Sequence, residues 1–155
     1  MNPLRLALTN VAGCLTVQMG IAWGITQLPA RLFRPEAWLY RKRGWELNGR
    51  LYERFFLIRK WKPLLPDGAA LFKGGFPKKS LRDRSPEYFL RFEQETCRGE
   101  LAHWLQMACA PLFFLWNPPW AGWSIIIYFL LVNFPCVLAQ RYNRFRLAAS
   151  RVHRK

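Results

Sequence analysis

Acidic residues are scarce in this chain: nine Asp and Glu stand against 24 Lys and Arg, giving a net charge of +15. Histidine is scarcer, with two residues in 155, and no paired-His zinc motif is present. Cys14, Cys97, Cys109 and Cys136 lack metal-ligand spacing. Three of them lie in apolar runs, where a small buried Cys is ordinary packing, so neither a zinc site nor a disulfide is expected. There is no Gly-x-Ser-x-Gly elbow and no dinucleotide fingerprint. Ser80, Ser85, Ser124 and Ser150 have no base nearby in sequence, which argues against a serine nucleophile. The glycine-containing stretch Lys73–Lys79 lacks P-loop spacing, and no internal repeat is evident. The His-x-x-x-x-Asp motif of soluble-domain glycerolipid acyltransferases is missing too. No metal and no cofactor is expected.

Long apolar runs are what the chain does have. Leu6–Leu28 carries no charge and is long enough to span a bilayer. Trp120–Ala139 is also uncharged. Leu101–Trp116 is shorter, with His103 near its start and Pro111 inside, and Asn117-Pro118-Pro119 joins it to the next run as a hairpin. The expected fold is therefore an all-α integral membrane protein forming one domain, 1–155. Its three transmembrane helices fall at about 6–28, 101–116 and 120–139, with a basic interfacial region at 29–100 and a basic tail at 141–155. The first run reads as a retained anchor: it exceeds a signal-peptide core in length, and Leu28-Pro29-Ala30 is a poor cleavage site, although Arg5 in front of it also suits a signal.

Charge predicts orientation. Arg31, Arg34, Arg41, Lys42 and Arg43 follow the first run, Arg82, Arg84, Arg91 and Arg98 precede the second, and more follow Arg141. The positive-inside rule puts 29–100 and the C-terminus in the cytoplasm, as in a multi-pass plasma-membrane protein. The positive charge has three readings. Nucleic-acid binding lacks any motif. Topology with attraction to anionic lipid is the plain reading, and a dock for a polyanionic substrate such as an acyl-thioester carrier is the sharper one.

Within 29–100, Asn48–Trp61 has the pattern of one in-plane amphipathic helix, with Leu51, Tyr52, Phe55, Phe56 and Ile58 against Arg50, Glu53 and Arg54. Lys62-Pro63 ends it. Ser85-Pro86-Glu87 starts another helix, which continues into the membrane with Gly99 and Pro111 as its weak points.

Polar residues at the ends of the apolar runs carry the candidate chemistry. Glu100 and His103, three apart, emerge on one helical face. A carboxylate beside an imidazole fixes its tautomer and raises its basicity, and such a His can take a proton from a hydroxyl. The plain alternatives are a boundary acid and a His satisfied by a backbone carbonyl. Glu95 and Arg98 have the spacing of a supporting ion pair. Asn133, Gln140 and Arg144 form one stripe at spacings of seven and four, with Arg141 beside it, and Pro135 is a candidate kink opening a cavity. Gln140 and Asn143 suit a sugar or carbonyl, and Arg141 and Arg144 a phosphate or an oxyanion. Arg146 and Arg151 read as plain anchors.

These residues resemble the glycosyl-4,4′-diaponeurosporenoate acyltransferase family, which completes staphyloxanthin-type carotenoids. The matching words are Arg59-Lys-Trp-Lys62 with Asp67-Gly68, then Glu95, Arg98, Glu100 and His103-Trp104, then Asn133, Pro135, Gln140-Arg-Tyr-Asn-Arg144 and Arg146-Leu147. They run in the family's order over roughly 45–147, and Phe145 departs from the pattern, which has Pro there. The resemblance implies transfer of a fatty acyl group from acyl-CoA or acyl-carrier protein to a sugar hydroxyl on a membrane glycolipid, with a glycosylated carotenoid as one such acceptor. In that scheme His103 is the base and Glu100 orients it. Arg141 or Arg144 stabilises the oxyanion, Arg59, Lys60 and Lys62 hold donor phosphates, and Trp104 lies at the substrate. Glu95, Arg98, Asn133 and Asp67 support them. Two other classes stay open: a non-enzymatic membrane recruitment module with a basic cytoplasmic face, and another small integral-membrane transferase. A chain with so little wall around a long lipid also leaves a homo-oligomer open.

Overall fold

Each long helix begins at a start signal written in the sequence. The computed structural model describes residues 2–66, 68, 75–78 and 81–152. Helix α1 (Pro3–Gln27) is capped by Asn2, whose Oδ1 accepts from the Leu4 backbone N–H at 3.0 Å, with Pro3 at the first position. Short helices α2 (Arg50–Arg54) and α3 (Ile58–Trp61) follow. Helix α4 (Pro86–Cys109) starts at Ser85, whose Oγ accepts from the Tyr88 backbone N–H, with Pro86 at the first position and Glu87 in the first turn. Helix α5 (Pro119–Val152) follows a 3-10 segment, Ala110–Leu115. Among the described residues there is no strand.

Helices α4 and α5 form an antiparallel hairpin, and α1 packs along α4. The apolar end of the hairpin is filled by Ala110, Phe113, Ile125 and Phe129 against Cys14 and Val17 of α1. A polar clamp locks it. Asn10 Nδ2 donates to Asn117 Oδ1 at 2.7 Å, Asn117 Nδ2 donates back to Asn10 Oδ1 at 2.8 Å, and Trp116 Nε1 reaches the same oxygen at 2.9 Å. Replacing Asn117 by Ala strands the Asn10 amide beside an apolar core. The expected loss is about 1–3 kcal/mol of stability, read from thermal unfolding in detergent.

Among the described residues two helices are long and apolar enough to cross a membrane, Pro3–Gln27 and Pro119–Ser150. The expectation of three is corrected to two. The first part of the run, Leu101–Cys109, shares α4 with the charged stretch Glu93–Glu100, and the α-helix ends at Cys109, where Pro111 brings no N–H and the chain tightens into a 3-10 segment. Gly99 does not break α4, and α5 stays helical through Pro135. The outer faces are apolar and open: Leu4, Leu8, Val11, Leu15, Met19 and Trp23 on α1, and Trp120, Trp123, Ile127, Leu130 and Leu131 on α5 are exposed. Contiguous apolar surface of this extent needs a cover other than water.

The single amphipathic helix expected at 48–61 is also corrected. Leu57 adopts a left-handed φ of 48° and splits it into α2 and α3. Before α2, Leu47 and Asn48 take φ of 50° and 54°, and Gly49 a φ of 90°. This left-handed turn swings Glu46 inward and lays Gly49 on α5, where a Cβ would stand 3.0 Å from Phe145 Cβ. Gly49→Ala meets both the backbone penalty and the contact. The expected cost is about 1–3 kcal/mol, seen as a lower unfolding midpoint.

Candidate active site

The charged cluster at the polar end of the hairpin is built around Glu100 of α4, which is fully buried. Its Oε1 accepts from Arg141 Nη1 at 2.8 Å and from Trp104 Nε1 at 3.3 Å, and its Oε2 pairs with Arg144 Nη2. A second buried carboxylate, Glu46, accepts from Arg141 Nε at 2.8 Å, from the Tyr52 hydroxyl and from the Arg43 backbone N–H. Burial alone would push the Glu46 carboxyl up, but the hydrogen bonds from Arg141, Tyr52 and Arg43 outweigh it and hold the group below the usual carboxylate range. Arg141 also donates to the Leu39 and Arg41 carbonyls at 3.1 and 3.2 Å. All three of its nitrogens are thereby committed, and it ties the interfacial segment to both long helices.

Arg144 is different. One nitrogen pairs with Glu100, its guanidinium lies 5.9 Å from the Tyr40 ring centroid, and Nη1 is buried with no partner among the described residues. Burial, reinforced by Cys97 and Glu100, pushes the Tyr40 hydroxyl up to about 12, so it stays neutral beside the arginine. One turn back on α5, Gln140 has a buried Oε1 without a partner among the described residues, and its amide lies against Gly99, where a Cβ would come within 3.1 Å of Nε2. A free donor and a free acceptor thus sit one turn apart on α5.

The structure corrects the pairing of His103 with Glu100. The two share a face, but the Glu100 carboxylate is drawn to the arginines of α5. His103 Nδ1 instead lies 2.9 Å from Asn133 Oδ1 and 3.0 Å from Gln106 Oε1. Asn133 Nδ2 donates to the Phe129 carbonyl at 2.9 Å, and Gln106 Nε2 to the Gln18 carbonyl at 2.8 Å. Both amides therefore present their oxygens to the ring. Nδ1 between two acceptors carries the proton, which leaves the lone pair of the neutral imidazole on Nε2.

The other predicted residues fall around this centre. Glu95 accepts from Arg98 Nη1 at 2.9 Å and pairs with Arg91 Nη2 at 2.8 Å, while Arg98 Nη2 donates to the Leu28 carbonyl just beyond α1. Arg59 pairs with Glu53 at 2.8 Å, and Lys60 is exposed. Lys62 and Asn143 line a cavity of about 260 Å³ with Lys78, Arg146, Ser150 and Phe92. An apolar groove of about 550 Å³ runs between α5 (Phe134, Pro135, Leu138) and Phe56, Trp61, Leu64 and Leu65. Asp67 lies outside the described residues. Three participants went unforeseen. Gln106 could have been found by its i+3 spacing from His103, whereas Glu46 and Tyr52 carry no local signature.

Residues 36–153 match the sequence model of the glycosyl-4,4′-diaponeurosporenoate acyltransferase family. The chain is 30% identical over 133 residues to glycosyl-4,4′-diaponeurosporenoate acyltransferases of Staphylococcus aureus strains bovine RF122 / ET3-1 and USA300, covering 86% of this chain and 80% of each relative. No solved structure matches. An all-helical acyltransferase is the class that these matches and the fold define. The chain belongs to the glycosyl-4,4′-diaponeurosporenoate acyltransferase family.

Proposed function

We propose that this enzyme is embedded in the plasma membrane and moves a fatty acyl group from a thioester to a sugar hydroxyl of a lipid, with a glycosylated carotenoid as the acceptor that its relatives' name indicates. The observation that carries the reading is the locked tautomer of His103. Nε2 takes the proton of the sugar hydroxyl as its oxygen attacks the thioester carbonyl carbon. The tetrahedral intermediate collapses, the C–S bond breaks, and the imidazolium returns the proton to the departing thiolate. Arg144 Nη1 donates to the developing oxyanion, and Gln140 Oε1 accepts from a hydroxyl of the sugar. Arg141, tied to Glu46, Glu100 and two backbone carbonyls, keeps the site in shape, and Glu100 acts through the arginines rather than through His103. The apolar groove beside Pro135 accommodates an apolar chain.

Membrane placement is supported by the apolar outer faces and by length. From Asn10 to Gln27 α1 rises about 26 Å, near the thickness of a bilayer core. Trp116, Trp120 and Trp123 flank the hairpin turn in sequence and Trp38, Trp45 and Trp61 fall in the basic segment, the distribution that two interfacial belts would have. The basic segments lie at the second end, which faces the cytoplasm where activated acyl groups are made.

The test is lipid mass spectrometry of cells supplied with a glycosylated carotenoid, with and without this chain. An acylated glycoside, heavier by one fatty acyl group, should appear only with the chain. Identical lipid profiles would sink the proposal.

A further inference from the structure

The basic cavity between Lys62, α4 and α5 shares no lining residue with the amides that hold His103. Lys62, Lys78 and Arg146 line it with Asn143 and Ser150, over a floor of Leu81, Phe92 and Leu147. Among the described residues that line it there is no carboxylate. The Lys62 ammonium lies 5.6 Å from the Tyr142 ring centroid. Its ordinary pKa is lowered by burial and then by the nearby Arg146 guanidinium. Glu53, across Tyr142, is already taken by Arg59 at 2.8 Å and by the Tyr142 hydroxyl at 2.6 Å. Cations gathered in a concave site favour an anion.

Position decides which anion. Phe92 in the cavity floor and His103 both belong to α4, eleven residues apart. Eleven steps of 100° bring them back to nearly the same face, about 16 Å apart along the axis. An extended phosphopantetheine arm bridges a gap of that order between its phosphate and its sulfur. Lys62 and Arg146, clustered at one cavity, suit a group with more than one phosphate charge better than the single charge of a phosphodiester. We infer that this cavity binds the phosphates of a coenzyme A thioester, gripping the acyl donor by the end furthest from its acyl group. The inference rests on the acyl-transfer reading and extends it to the donor. It gives Arg146, which looks like a plain membrane anchor in sequence, a binding role beside Lys62, and it leaves Arg59 to its carboxylate.

The experiment measures binding of coenzyme A itself to the full chain in phosphatidylcholine nanodiscs by calorimetry. Lys62→Gln with Arg146→Gln should weaken binding at least tenfold and raise the KM for acyl-CoA with little change in kcat. Lys62→Arg with Arg146→Lys should restore most of the affinity, which separates lost charge from lost fold. Unchanged coenzyme A affinity in the double Gln variant overturns the inference. So does a wild-type chain that binds acylated carrier protein but not coenzyme A. A third overturning result is loss of coenzyme A binding when phosphatidylglycerol is added to the nanodisc, which would assign the cavity to a lipid headgroup. Binding is read without turnover. An active His103→Asn variant would therefore remove the proposed base and leave this result standing, whereas an inactive one with coenzyme A affinity unchanged in the double Gln variant would remove this inference alone.

Discussion

His103→Asn should lower kcat for acyl transfer by about 10²–10⁴-fold while the protein keeps its unfolding midpoint and its donor affinity. The choice of Asn matters. Its Nδ2 can occupy the place of the imidazole Nδ1 and still donate to Asn133 Oδ1 and Gln106 Oε1, which lie 2.9 and 3.0 Å from that nitrogen. What disappears is Nε2 and its lone pair. His103→Ala is a poorer probe, because it also leaves two buried amide oxygens without a donor, at a cost of about 1–3 kcal/mol each. A companion change, Asn133→Leu, keeps the base but removes one of the two acceptors that fix its tautomer. It should give a partial loss, with the pH profile of kcat displaced rather than flattened. A His103→Asn enzyme with wild-type turnover would leave the proton transfer without a base and end the mechanism proposed above.

Glu100→Gln has the largest expected effect on stability. Glu100 is the sole carboxylate partner of Arg144 among the described residues and shares Arg141 with Glu46. A neutral amide leaves the buried Arg144 without a counter-ion, and breaking a buried pair from one side costs about 3–5 kcal/mol. Unfolding in detergent should show that drop directly. The same logic predicts a rescue: adding Arg144→Met to Glu100→Gln removes the uncompensated charge and should recover much of the stability but not the activity. Additive losses in the double variant would mean that Glu100 does not serve as the counter-ion of Arg144.

The two predictions mark where sequence reasoning reached and where it stopped. Local signals were readable. Ser85-Pro86 starts α4, and Asn117-Pro118-Pro119 turns the chain so that the polar clusters of α4 and α5 meet. Spacing of three put Glu100 and His103 on one face, yet spacing along a helix says nothing about what the neighbouring helix brings. Two arginines on α5 outcompete an imidazole for a buried carboxylate, and two amides take the imidazole instead. The break at Leu57 was hidden for a different reason. A leucine at a φ of 48° has no signature in composition, whereas Gly or Asn would have announced the turn. Glu46 was overlooked because it stands among cations that read as a solvated headgroup boundary, and only the left-handed turn after it carries it inside. The third span expected at 101–116 rests on a short apolar run paired with the next one through Asn117-Pro118-Pro119, and the structure ends that α-helix at Cys109.

The arginine ties have a consequence for how the protein is made. Every carboxylate in the cluster, Glu46 and Glu100 among them, leaves the ribosome before Arg141 and Arg144 do. At synthesis rates of about 5–20 residues per second, both acids wait unpaired for several seconds while α5 is still emerging. Until then the Gly44–Gly49 turn lacks its ties to Arg141 and Phe145, since both belong to α5. Assembly of the site therefore waits until α5 has been made. A nascent chain stopped before Arg141 should carry an unanchored Glu46 segment, open to proteases that spare the finished protein.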